Sequence, residues 1–125
     1  MLDHISIGVC DLAQAKAFYD ATLTPLGYRC LSQDDTSLGY GAGNVAFWVL
    51  LREMPVPADT ASGLHICFAA PTRSAVDAFH ATALKQGGRD NGRPGLRADY
   101  GAGYYAGFIA DPDGYRIEAY CNEAP

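Results

Sequence analysis

Apolar positions along the chain alternate in short runs, then switch to a helical period, and the whole pattern occurs twice. Ile5, Ile7 and Val9 alternate with His4, Ser6 and Gly8, which predicts a short strand with one apolar face. Asp11 stands where a helix needs an N-cap, and Leu12, Ala15, Phe18 and Tyr19 form a stripe at helical spacing. Gly27 is a natural stop for that helix. Three further strands are read at 28–32, 37–42 and 44–51. A displacement of 61 residues then lays "HISIGVCDLAQAKAFYDATLTPLGYR" over "HICFAAPTRSAVDAFHATALKQGGRD" without a gap. His4 meets His65, Ile5 meets Ile66, Ala17-Phe18 meets Ala78-Phe79, Leu23 meets Leu84 and Gly27 meets Gly88.

The second copy repeats the elements of the first. Leu64, Ile66 and Phe68 alternate along a strand, Thr72 or Ser74 caps a helix, and Val76, Phe79 and Ala83 form its stripe. Gly88 ends it, and strands follow near 89–91, 103–110 and 115–121. Each half reads as strand, helix and three strands, and neither half closes a core alone. The expected fold is therefore α+β: two paired βαβββ modules forming a curved mixed sheet around a cavity, with the helices outside. The predicted boundaries are 1–53 for the first module, the Pro-rich 54–62 for the connection and 63–125 for the second, within one domain.

Composition narrows the functions open to such a fold. The chain has 125 residues, 49% of them apolar and 18% charged, enough to bury a core without disulfide staples. Its net charge of −5 argues against nucleic acid or an anionic membrane as the main partner. The cysteines at 10, 30, 67 and 121 form no C-x-x-C pair, so neither a zinc knuckle nor a thioredoxin-type site is suggested. With no basic start, long apolar run or membrane-length span, a soluble, reduced, cytoplasmic setting is expected.

Candidate chemistry follows from the faces. Where Ile5, Ile7 and Val9 pack on the helix, His4 and its alternates face the other way. The same phase turns His65 and Cys67 inward in the second copy. In the last strand Ile117, Ala119 and Cys121 are the apolar set, so Arg116, Glu118 and Tyr120 share the inner side. Taken singly, His4 is a surface residue near a terminus and Glu118 a solvated acid or the partner of Arg116. Taken together, two repeat-equivalent histidines and one carboxylate, His4, His65 and Glu118, are a ligand set for one divalent metal ion (Zn, Ni, Fe, Mn or Co) with positions open for water or substrate.

Other residues suit a small-molecule ligand. The segment "GRPGLRADYGAGYYAGF", 92–108, reads as a loop, in which Arg93 and Arg97 could clamp an oxyanion and Tyr100, Tyr104 and Tyr105 could stack on or donate to a substrate. The competing reading has these tyrosines half-buried in strands and these arginines solvated. Trp48 falls on the cavity side if Val45, Phe47 and Val49 pack outward, and Arg116 and Tyr120 complete the candidate wall. "GYGAGN", 39–44, lacks a following helix and a Lys-Ser/Thr pair, so it is a hairpin turn and not a phosphate loop. Asp111-Pro112-Asp113-Gly114 is a turn that sets the register of the Glu118 strand.

"LDHISIGVCDLAQAKAFY", "GLHICFAAPTRSAVDAFH" and "DPDGYRIEAY" together resemble the vicinal oxygen chelate superfamily of glyoxalase I, extradiol dioxygenases and bleomycin and fosfomycin resistance proteins. Within it the chain is similar to bacterial glyoxalase-like proteins, on the stretch from Pro94 to Cys121. The resemblance implies paired βαβββ modules, a metal held by His4, His65 and Glu118, and a possible homodimer. It also implies that the fourth, glutamate ligand of glyoxalase I falls on "NVAFWVLL", at Phe47 or Trp48, neither of which can bind a metal or move a proton. The acid–base histidine of the dioxygenases has only His80 to match it, and that residue reads as a helix surface or boundary position. The implied function is a metal-dependent, glyoxalase- or dioxygenase-like reaction on a substrate chelating through vicinal oxygens. The alternative is non-catalytic binding of an antibiotic or other aromatic molecule.

Overall fold

Asp11 ends an extended segment and accepts the N–H of Gln14 at 2.9 Å, which starts helix α1 (Leu12–Leu23) behind strand β1 (Ile5–Val9). Thr72 does the same through the N–H of Ala75 at 3.1 Å, starting α2 (Arg73–Lys85) behind β5 (His65–Ala69). Of the two residues the sequence left open for that cap, Thr72 is the one used. The chain, described by a computed structural model, is resolved here for residues 1–59 and 61–122. Residue 60 of the predicted connection and residues 123–125 of the predicted second module lie outside the described residues.

A short 3-10 turn (Thr24–Leu26) and the left-handed Gly27 (φ 87°) lead from α1 to β2 (Arg29–Gln33), β3 (Ser37–Gly41) and β4 (Val45–Leu51). After α2 come β6 (Arg89–Leu96), β7 (Tyr105–Ala110) and β8 (Arg116–Cys121). The predicted stop at Gly88 moves by one residue. Gly87 is the left-handed glycine (φ 95°), while a Cβ on Gly88 would lie 2.9 Å from the Ala83 carbonyl oxygen and 3.0 Å from that of Ala110.

Two four-stranded sheets result, ordered β1-β4-β3-β2 and β5-β8-β7-β6. In each, the first strand is parallel to the last and the remaining pairs are antiparallel. Among the described residues the sheets stay separate and do not close around a cavity. Helix α1 touches α2, and their buried faces join the sheets in one core, in which Phe18 and Phe79 are fully buried. Each such side chain contributes roughly 1.5–3 kcal/mol by leaving water.

The halves are tied by specific contacts. Phe47 meets Phe68 edge to face at 5.1 Å. Tyr28 donates its hydroxyl to the Ala69 carbonyl at 2.6 Å, and Tyr115 donates to the Gly8 carbonyl at 2.7 Å. Gly8 and Ala69 stand at repeat-equivalent positions, so each half caps the same carbonyl of the other. Tyr19 of α1 donates to the buried carboxylate of Asp111 in the β7–β8 turn.

Strand β6 differs from the sequence reading, which gave it only 89–91 and assigned 92–108 to a loop. It runs on through Gly92, Pro94 and Gly95, with register shifts between Asp90 and Gly92 and between Gly92 and Gly95. Turn-forming residues are here absorbed as irregularities of an edge strand, and the loop shrinks to the residues between Leu96 and Tyr105.

Candidate functional site

The outer face of the second sheet is built in rows. Directly paired residues share a face, so Arg89, Ala110, Arg116 and His65 form one row across β6, β7, β8 and β5. The next row is Gly92, Phe108, Glu118 and Cys67. Ile109 and Ile117 lie between these rows, Ala119 follows Glu118, and all three turn into the core. Strict alternation on both sides of Glu118 thus explains how the carboxylate is aimed, as the sequence pattern required.

Glu118 is only 3% exposed, and both its oxygens are engaged. Oε1 lies 2.9 Å from Nε2 of His65, and Oε2 accepts the Tyr104 hydroxyl at 2.6 Å. Burial, then the hydrogen bond to Glu118, push the Tyr104 phenol well above its ordinary value, so it keeps its proton as the donor. Tyr104 also stacks on Tyr120, with centroids 4.0 Å apart and planes 11° from parallel, and meets Tyr100 edge to face at 5.2 Å. Residue Cys67 is exposed overall, yet its thiol lies against Glu118, and burial followed by that negative charge pushes it up to about 12. An open cleft of about 590 Å³ is lined by His65, Asp99, Tyr100, Tyr104, Phe108 and Glu118.

The predicted site residues fall into two groups. His65, Glu118, Tyr100, Tyr104 and Tyr120 come together, with Arg116 beside His65 and Arg97 standing 5.3 Å over the Phe108 ring. Arg97 is further held by donating to the Arg93 carbonyl at 2.6 Å. Tyr105 goes to the opposite face, where its hydroxyl donates to Asp77 of α2 at 2.6 Å. It directly follows Tyr104, so strand alternation sends the two apart. Arg116 does not pair with Glu118, whose two oxygens meet His65 and Tyr104 instead.

Trp48 pairs across with Ser6 and Gly39 on the first sheet, away from the His65 cleft. Phe47 is turned into the core at 2% exposure. His4 precedes β1, half exposed, with its Nδ1 2.8 Å from the Asp3 carboxylate. Among the described residues no three His, Cys, Asp or Glu side chains are grouped to hold a metal, so one chain assembles the His65–Glu118 pair without His4. His80 is no surface residue: it is 7% exposed and its Nε2 lies 2.8 Å from Asp90.

Phe108 and Asp99 were not singled out by the sequence, and Cys67 was placed only on the inward face beside His65. Phe108 was legible in principle, since it pairs with Glu118 across the last two strands. A more apolar cleft of about 400 Å³ opens at the seam between the halves, beside Ile5, Tyr28, Tyr40, Phe47, Ile66 and Phe68. No histidine or charged side chain lines it.

Twin βαβββ halves, each with its first strand parallel to its last, and a histidine–carboxylate pair on a sheet face define a two-module α+β protein of the glyoxalase type. The Glyoxalase/Bleomycin resistance protein/Dioxygenase superfamily matches residues 1–119, and the chain belongs to it. A glyoxalase/bleomycin resistance protein from Albidiferax ferrireducens T118 is 31% identical with a TM-score of 0.84, the match covering 96% of this chain and 98% of that one. A glyoxalase-related enzyme from Fulvimarina pelagi shares the fold at 16% identity and TM-score 0.74, over 96% of this chain and 86% of that one. A V278E mutant of glyoxalase I from Zea mays shares it at 15% identity and TM-score 0.70, over 95% of this chain and 45% of that one. No curated protein matches the sequence.

Proposed function

We propose that the chain is a metal-dependent enzyme of the glyoxalase/dioxygenase type, acting on a small molecule that chelates through adjacent oxygens. The observation that supports this most is the His65–Glu118 pair, an imidazole and carboxylate donor set at the floor of an open cleft. Two donors hold a divalent ion weakly, and a third is needed. His4, repeat-equivalent to His65, supplies it from a second copy of the chain, which makes the active form a homodimer. A bound ion would act as a Lewis acid on the substrate oxygens. Around it Tyr104 keeps Glu118 oriented and carries a proton within reach of the cleft, and Tyr100, Tyr120 and Phe108 hold an apolar substrate body against the sheet. Neither Phe47 nor Trp48 can replace the fourth glyoxalase ligand, so the lactoylglutathione lyase reaction is not the one proposed.

Metal analysis of protein purified without chelator tests this, together with His4→Ala, His65→Ala and Glu118→Gln and the molecular mass of each in solution. Wild type is expected as a dimer carrying stoichiometric divalent metal, with metal lost in all three variants while the folded dimer persists. Equal metal content in wild type and His65→Ala refutes the ligand assignment.

One observation favours a second reading, non-catalytic binding of an aromatic molecule. Both Glu118 oxygens already have protein partners, and the cleft wall is largely aromatic. Metal-free wild type that binds an aromatic ligand, and loses it in Tyr104→Ala, would establish that reading.

A further inference from the structure

The row through His65 continues away from Glu118 into two arginines. Arg116 is its direct neighbour on β8, and Arg89 lies beyond Ala110 on the same face. Two strand spacings place their backbones roughly 10 Å apart. The methyl group of Ala110 between them leaves room for both side chains to lean inward. Two hollows open there. One, of about 180 Å³, is shared by His65, Asn91, Phe108 and Arg116. The other, of about 250 Å³, is shared by Arg89, Asn91, Ala110 and Arg116. Arg116 and Asn91 line both, so the second hollow adjoins the His65 cleft.

Neither arginine in this corner is held in an ion pair. The chain has 14 acidic residues against 9 Lys and Arg, so acidic partners are in surplus. Even so, among the described residues neither Arg89 nor Arg116 has a carboxylate within ion-pair distance. The inner Nε of Arg116 is cut off from solvent and has no acceptor at all. An unpaired guanidinium that has lost part of its hydration is costly unless an anion reaches its remaining N–H groups. Asp90 also lines the second hollow, but it lies outside ion-pair distance of both arginines, and its Oδ1 meets His80 and accepts the Gly92 N–H at 3.0 Å.

We infer that Arg89 and Arg116, with the Asn91 amide beside them, form an oxyanion subsite, and that the natural ligand carries a carboxylate or phosphate there while its body crosses His65 toward Phe108 and Tyr100. Two guanidinium forks over a small residue suit a planar or tetrahedral oxyanion, to which each donates paired N–H bonds. This rests on the His65–Glu118 cleft being the ligand site, and it adds the charge and orientation of what enters.

The test titrates wild type, Arg89→Met, Arg116→Met, His65→Ala and Arg52→Met with sodium benzoate and with inorganic phosphate at fixed ionic strength. It follows thermal stability and, in wild type, the NMR signals of the arginine Nε–H groups. Wild type is expected to be stabilised by one or both probes with a saturable dose response, and the probe that acts separates a carboxylate from a phosphate ligand. The affinity should fall about tenfold or more in Arg89→Met and Arg116→Met and stay intact in Arg52→Met. Phosphate, which has no body to reach His65, should keep its affinity in His65→Ala while metal is lost, and this keeps the subsite and the metal reading apart. If metal is absent but the probe still needs both arginines, the metal reading fails and the subsite stands. No saturable response, or an equal one in the arginine variants, overturns the subsite. Should either variant fail to fold, an unmoved Arg116 Nε–H signal in wild type overturns it equally.

Discussion

Replacing Tyr19 with Phe should cost more stability at neutral than at acid pH, because its hydroxyl serves one buried carboxylate. Tyr19 is 1% exposed and Asp111 2%, and the hydroxyl donates to Oδ2 while Oδ1 accepts the N–H groups of Asp113 (3.0 Å) and Tyr115 (2.8 Å). Burial pushes the Asp111 carboxyl up to about 6, with the Tyr19 and Tyr115 hydrogen bonds restraining the rise. A folded value above the unfolded 3.8 means that the folded state binds the proton more tightly. Asp111 therefore contributes stability that is fully present below about pH 4 and lost as pH rises through about 6, roughly 3 kcal/mol in all. Tyr19→Phe keeps the ring and removes only the donor, leaving a buried anionic oxygen unpaired above pH 6. The expected loss at pH 7.5 is about 2–3 kcal/mol, or a fall in Tm of roughly 8–12 °C. At pH 4.5 the carboxyl is protonated and the deficit should shrink to about 1 kcal/mol. Thermal melts at the two pH values, read by circular dichroism and by the single tryptophan, Trp48, measure both. Equal deficits at pH 4.5 and 7.5, or none, would refute the reasoning. Asp111→Asn, which removes the charge but keeps an acceptor for the two N–H groups, should flatten the pH dependence.

Gly41→Ala should destabilise by at least about 2 kcal/mol, since its Cβ would stand 1.9 Å from the Asn44 carbonyl oxygen in the β3–β4 turn; urea denaturation reads the loss. Tyr28→Phe and Tyr115→Phe should each cost about 1 kcal/mol by uncapping the Ala69 and Gly8 carbonyls. Their effects should add in the double variant, because the two bonds share no partner. Cys67 should alkylate slowly with iodoacetamide at pH 8, its thiol being held protonated by burial and by Glu118, and Glu118→Gln should speed the reaction.

The part of the fold that could be read from sequence was the part encoded by local period. Helix stripes at Ala15, Phe18 and Tyr19 and at Val76, Phe79 and Ala83, and strand alternation at Ile7 and Val9, depend only on which residues leave water, and those are the residues that do. The same alternation turned Glu118 and His65 to one face. Sequence reasoning failed where geometry depends on partners distant in the chain. Strand β6 reads as a loop because Gly92, Pro94 and Gly95 are turn residues, and only pairing with β7 holds them extended. Its extension shortened the tyrosine-bearing loop and fixed Tyr105 on the helix side, one residue from Tyr104. His80 read as a helix surface or boundary residue because nothing nearby in sequence announces Asp90, its partner across the α2–β6 connection. His4 is a different case. A repeat makes two histidines equivalent by symmetry, and a pseudo-twofold axis maps one onto the other without bringing them together. Equivalent residues of two modules meet only if the modules turn the same faces toward each other. Here the modules share a core through their helix sides, with α1 against α2, so the sheet faces bearing His65 and Trp48 are left open. Repeat equivalence therefore argues for the metal triad only across two chains, which is why the mass of the metal-loaded species in solution bears as directly on His4 as its substitution does.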